Sequence, residues 1–127
     1  MSQDKKPVTL LHEEITQWKS NVELVRSETS TFQKQLSEIA RKNNQEEVMK
    51  GVEHFQNQFT RQLEVSDELL HDLHAADHEL AEKAISEEDS DQIFTKENSG
   101  LKDSAETYNK LFLELKNEFH LFLEKWM

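Results

Sequence analysis

Apolar residues recur every three or four positions along most of this chain. In the first long stretch they fall at Val8, Leu11, Ile15, Trp18, Val22, Val25, Phe32, Leu36 and Ile39, with Thr29 filling a polar slot in the series. A later stretch repeats the pattern at Leu101, Ala105, Tyr108, Phe112, Leu115, Phe119, Phe122 and Trp126. Between them run Val48, Val52, Phe55, Phe59, Leu69, Leu73, Ala76, Leu80 and Ala84, interrupted by Gln62 and Ser66. A period near 3.5 belongs to helices that each bury one seam against neighbouring helices.

The pattern predicts helices over about 7–41, 45–84 and 90–126, behind a frayed polar tail at about 1–6. Pro7 suits a first helical turn, where its missing N–H is not needed. Lys42-Asn43-Asn44 stops the first helix, and Asn44 with Glu47 resembles a capping box for the second. Gly51 sits inside that second helix at a cost of about 1 kcal/mol against alanine. Leu63 and Leu70 lie one position off its seam and broaden the apolar stripe there. Ser86-Glu87-Glu88-Asp89-Ser90-Asp91 reads as a linker whose serines and acids suit the start of a third helix. Asn98-Ser99-Gly100 is a stop-like cluster inside a helical pattern. The third helix is expected either to kink there or to divide into pieces at about 91–98 and 101–126.

Three long helices with short connections imply an all-α fold: an elongated antiparallel, up-down-up three-helix bundle packed like a coiled coil. Residues 1–127 are expected to form one domain. Acids stand four residues before bases at Glu38/Lys42, Glu46/Lys50, Glu79/Lys83 and Glu106/Lys110, the order that supports a helix. The shape resembles that of spectrin-type repeats, whose first helix likewise carries a tryptophan on its seam, here Trp18; this is a likeness of architecture and implies no function.

Composition narrows the functional classes. The net charge is −11, and no basic cluster is longer than Lys5-Lys6. A phosphate backbone or an anionic membrane needs a concentrated cationic surface, so neither nucleic acid nor membrane is the expected partner. The chain has no cysteine, which excludes disulfides, thiolate catalysis and cysteine-ligated metals. There is no apolar signal core after the N-terminus and no run of about 18–20 apolar residues, so a cytoplasmic location is expected. Neither a glycine-flanked serine nor a phosphate-cradling glycine loop occurs, and an enzymatic role is not expected.

Four features can carry chemistry. On the second helix, His71, His74 and His78 share with Asp67 about 60° of circumference. His74 and His78 have the i, i+4 spacing of a chelating pair, and Glu68 with His71 has the Glu-x-x-His form of carboxylate bundles. A divalent transition metal on Glu68, His71, His74 and His78 is thus the alternative reading, and their titration with pH is a variant of it. The di-iron arrangement, however, needs two such motifs and further glutamates, and this face lies about 80–140° off the seam. Gln58, Gln62 and Ser66 form a polar break that fixes helix register or lines a small ligand cavity. Asp89-Ser90-Asp91 resembles the start of a calcium loop but lacks the sixth-position glycine. Finally, Leu10 and Leu24 on the first helix, with Leu111, Leu113, Leu121 and Leu123 on the third, exceed what a three-helix core needs. Leu10, Leu24, Leu113 and Leu121 are the expected interaction surface, for a protein partner or a homodimer.

Overall fold

The computed structural model describes residues 8–85 and 99–127. They form three helices, α1 (Val8–Lys42), α2 (Glu46–Ile85) and α3 (Ser99–Trp126). The first two match the sequence expectation to within a residue. The third begins at Ser99, so Ser99 and Gly100 form its first turn and it runs unbroken to Trp126. The expected tail, Pro7, the Ser86–Asp91 linker with its Asp89-Ser90-Asp91 element, and the short helix at about 91–98 lie outside the described residues.

Side-chain pairs fix the directions of the helices. His12 and Lys19 of α1 reach Asp77 of α2, Arg26 reaches Asp67, and Phe32 meets Phe59. The number falls along α2 as it rises along α1, so these helices are antiparallel. Asn21 pairs with Asn109 and Glu28 with Lys116, both across a separation of 88 residues, so α1 and α3 are parallel. Ser66 meets Tyr108 and Glu47 meets Lys125, so α2 and α3 are antiparallel. The result is the up-down-up bundle, in which α1 and α2 approach each other most closely.

The heptad seams become the core. Leu11, Ile15, Val22, Val25, Phe32, Leu36 and Ile39 of α1 are buried, as are Val48, Val52, Phe55, Phe59, Leu69, Leu73, Ala76 and Leu80 of α2. Ala105, Tyr108, Phe112, Leu115 and Phe119 complete it from α3, while Trp18, Phe122 and Trp126 are only partly buried. Phe119 is the hub of an aromatic cluster. Its ring centroid lies 5.2 Å from Phe32, 5.2 Å from Phe55 and 4.9 Å from Phe59. Tilted and edge-on contacts at these distances suit the ring quadrupoles.

Local chemistry explains the ends and the polar slots. The backbone N–H and the side-chain amide of Asn43 both donate to the Ile39 carbonyl, closing the last turn of α1. Met49 N–H donates to the Gln45 carbonyl, so Gln45, not Asn44, occupies the N-cap position of α2. Arg41 and Lys42 in the last turn of α1, and Glu46 and Glu47 in the first turn of α2, match the helix dipoles. Thr29 is buried and satisfied because its hydroxyl donates to the Val25 carbonyl at 2.7 Å. Of the expected acid–base pairs Glu46–Lys50 closes at 3.4 Å, whereas Glu38 is engaged by Arg41.

Candidate functional site

The structure leaves all four proposed interaction leucines exposed: Leu10 at 42%, Leu24 at 58%, Leu113 at 48% and Leu121 at 67%. Their arrangement follows from helix geometry and the 88-residue offset of α1 and α3. That offset sets Leu24 level with Phe112, one residue from Leu113. At 100° per residue, Leu24 lies on the side of α1 toward α3 and Leu113 on the side of α3 toward α1. The two therefore flank one seam. Leu10 continues the same stripe of α1, about 20 Å from Leu24. Leu121 is turned about 80° from Leu113 around α3, so the fold brings Leu24 and Leu113 together and separates Leu121 from them. Leu123, counted with the surplus leucines in the sequence, instead packs against the core.

A second surface lies on the other side of α3. Gln58, Arg61 and Val65 of α2 face Tyr108, Leu111 and Leu115 of α3 across an open groove of roughly 380 Å³. It adjoins a depression of roughly 350 Å³ that reaches Asp103, Ser104 and Thr107 and shares Val65, Tyr108 and Leu111. Leu111 is 54% exposed here. The polar break of α2 forms the floor. The Ser66 hydroxyl donates to the Gln62 carbonyl at 2.7 Å, which leaves its oxygen to accept the Tyr108 hydroxyl. Burial pushes the Tyr108 phenol above the ordinary tyrosine range, although its contacts with Ser66 and Gln62 pull the other way. Tyr108 thus keeps its proton and serves as a donor. Ser66 links α2 to α3 through Tyr108, while Gln58 and Gln62 line the open groove. Sequence reasoning did not single out Val65. The signal for it was its position beside the polar break, where the seam of α2 thins.

The histidine face of α2 is exposed at His71, His74 and His78. His78 Nε2 lies 3.1 Å from Glu82, Glu68 lies 3.9 Å from Arg61, and Asp67 faces Arg26 at 3.4 Å. Glu68 and Asp67 are thus turned to arginines, and His78 to a carboxylate outside the expected ligand set. Among the described residues no group of three or more histidine, aspartate or glutamate side chains converges as a metal site.

One ionisable group with two charged partners was not flagged by the sequence. Asp77 receives His12 Nδ1 at 2.6 Å and Lys19 Nζ at 3.0 Å. Burial alone would raise its carboxyl, but the hydrogen bonds and charges of His12 and Lys19 outweigh that and hold it below the ordinary aspartate range. Its role is to tie α1 to α2.

Among the described residues no helix is long and apolar enough to cross a membrane. No family model matches the chain, and neither a curated protein nor a solved structure is significantly similar to it.

Proposed function

We propose that this chain is a non-enzymatic helical interaction protein, one that self-associates or docks a partner helix through the leucines of α1 and α3. The observation behind this reading is the exposure of Leu24, Leu113 and Leu121 on a bundle whose core closes without them. Apolar surface of this kind, left over after a core is filled, marks an interaction site. A two-fold dimer is its simplest use, because one patch then serves both copies. With it we propose a cytoplasmic protein whose partners are proteins, since a net charge of −11 disfavours nucleic acids and anionic lipid.

The test is native mass spectrometry and sedimentation of the untagged chain, compared with Leu24→Glu/Leu113→Glu and Leu113→Glu/Leu121→Glu. We expect a dimer that the substitutions convert to monomer, with the stability of the folded monomer changed by less than about 0.5 kcal/mol per exposed site. A wild-type chain that stays monomeric at high concentration removes self-association. If size and partner binding are unchanged in both variants, the leucine surface is wrongly assigned.

A further inference from the structure

We propose that the groove between α2 and α3 is a docking site for an amphipathic helix of a basic partner protein. The partner's apolar stripe would sit on Leu111 and the accessible part of Val65, with its lysines and arginines against the acidic rim. This inference rests on the reading of the chain as an interaction protein but uses a different face from that of Leu24 and Leu113.

Three observations carry it. The first is shape. The two adjoining depressions extend along α3 from Asp103 to Glu118, about 22 Å or four helical turns. A groove between two antiparallel helices, with a polar floor and an exposed leucine on its wall, is a setting in which a further amphipathic helix can lie. Adding one there turns a three-helix bundle into a four-helix one.

The second is the origin of the groove. The seam of α2 is polar at Gln62 and Ser66, and Ser66 spends its hydroxyl on the Gln62 carbonyl and Tyr108. That link holds the helices at a fixed register without filling the space above it. Leu111 is left more than half exposed, and Val65, packed against the core, is only partly covered. A core that needed only to be closed would carry a larger apolar side chain at these positions.

The third is charge, which selects the partner. Asp103, Glu114 and Glu118 line the two depressions. Glu64 and Glu68 stand beside Arg61, the basic residue of the lining, and each is within ion-pair reach of it. Three carboxylates therefore line the groove against one guanidinium, whose charge Glu64 and Glu68 already offset. A helix flanked by basic residues gains both attraction and speed of encounter from this field. A second copy of this chain, with no basic cluster longer than two residues, would bring no concentrated basic surface to this rim.

The experiment uses the full chain, isotopically labelled for NMR, and three synthetic peptides of about 21 residues, or three heptads. One carries leucine at the a and d positions and lysine at e and g. The second has glutamate at e and g. The third scrambles the first. We expect the lysine-flanked peptide to bind saturably, with amide shifts concentrated at residues 58–65 and 103–118. Leu111→Glu, a substitution at an exposed position, should weaken binding about tenfold or more. Glu114→Lys/Glu118→Lys should shift the preference toward the glutamate-flanked peptide, a reversal that misfolding would not produce. Equal binding of the scrambled peptide overturns the proposal, because only bulk charge is then at work. Shifts centred on Leu24 and Leu113 overturn the groove while leaving partner docking intact. Absence of saturable binding overturns the groove alone, since the leucine surface is judged by the oligomeric state. If Leu111→Glu instead dissociates a homodimer, the groove is a self-association site and the proposed partner is wrong.

Discussion

At Gly51 the missing side chain matters more than the backbone freedom. A Cβ there would overlap the Phe122 ring, which packs on Phe55 at 5.1 Å and on Phe119 at 6.3 Å. In the sequence this glycine reads only as a helix-propensity penalty of about 1 kcal/mol. The ring of a residue 71 positions away, across another helix, is what gives it a purpose. Gly51→Ala gains helix propensity but forces the half-buried ring to turn away from its neighbours, and overpacking of that kind costs about 1–3 kcal/mol. We expect a net loss of about 1 kcal/mol in the native background. In a Phe122→Ala background the same change should stabilise by about 1 kcal/mol. Urea denaturation of the four proteins of this cycle measures both, and a gain in both backgrounds would show that Phe122 is no constraint.

Between elements, the tie that distinguishes α1–α2 from the other helix pairs is Asp77. Its carboxyl is held below the ordinary aspartate range in the folded chain by His12 and Lys19. A group with a depressed folded-state pKa contributes its full stability above its unfolded value, ordinarily about 3.9 for aspartate. The contribution is lost as the pH falls through the lower, folded value. Asp77→Asn should therefore cost from a few tenths to about 1 kcal/mol near neutrality, the scale of partly exposed ion pairs. The difference from the native chain should shrink as the pH is lowered below the ordinary aspartate value. Urea midpoints at neutral and strongly acid pH test this; a pH-independent difference would mean that packing, not the carboxylate, carries the effect. Nothing in the local sequence announced this contact. Asp77 and His12 are 65 residues apart, and only antiparallel pairing brings them together.

For the whole molecule, Phe119 closes the bundle. It is fully buried and touches the rings of α1 and α2 from α3. Phe119→Ala should destabilise by about 3–5 kcal/mol, a large part of the 5–15 kcal/mol typical of a folded domain. Trp18 and Trp126 lie on different helices, and the register of α1 and α3 sets them about 30 Å apart. If the three helices fold as one unit, tryptophan fluorescence and circular dichroism should give coincident transitions that shift together in this variant. Fluorescence that changes before helicity is lost would mean that α3 leaves α1 and α2 first.

The seams, the helix limits of α1 and α2 and the all-α class were determined by the sequence alone. Helical periodicity is local: each of Leu11, Ile15, Val22 and Val25 declares its face through neighbours three or four positions away. The end of α1 was legible for the same reason, in Asn43 and its neighbours, although the N-cap of α2 falls one residue beyond the expected asparagine. Only the tertiary structure decided which surplus leucines share a face, because that depends on the offset between α1 and α3, recorded in pairs such as Asn21–Asn109. It also decided that the polar break of α2 meets Tyr108 and holds a groove open beside Leu111. Those outcomes rest on contacts between residues 42 to 88 positions apart. A heptad pattern says that a helix has a buried face, but many registers satisfy that requirement, and side-chain pairs between helices select one.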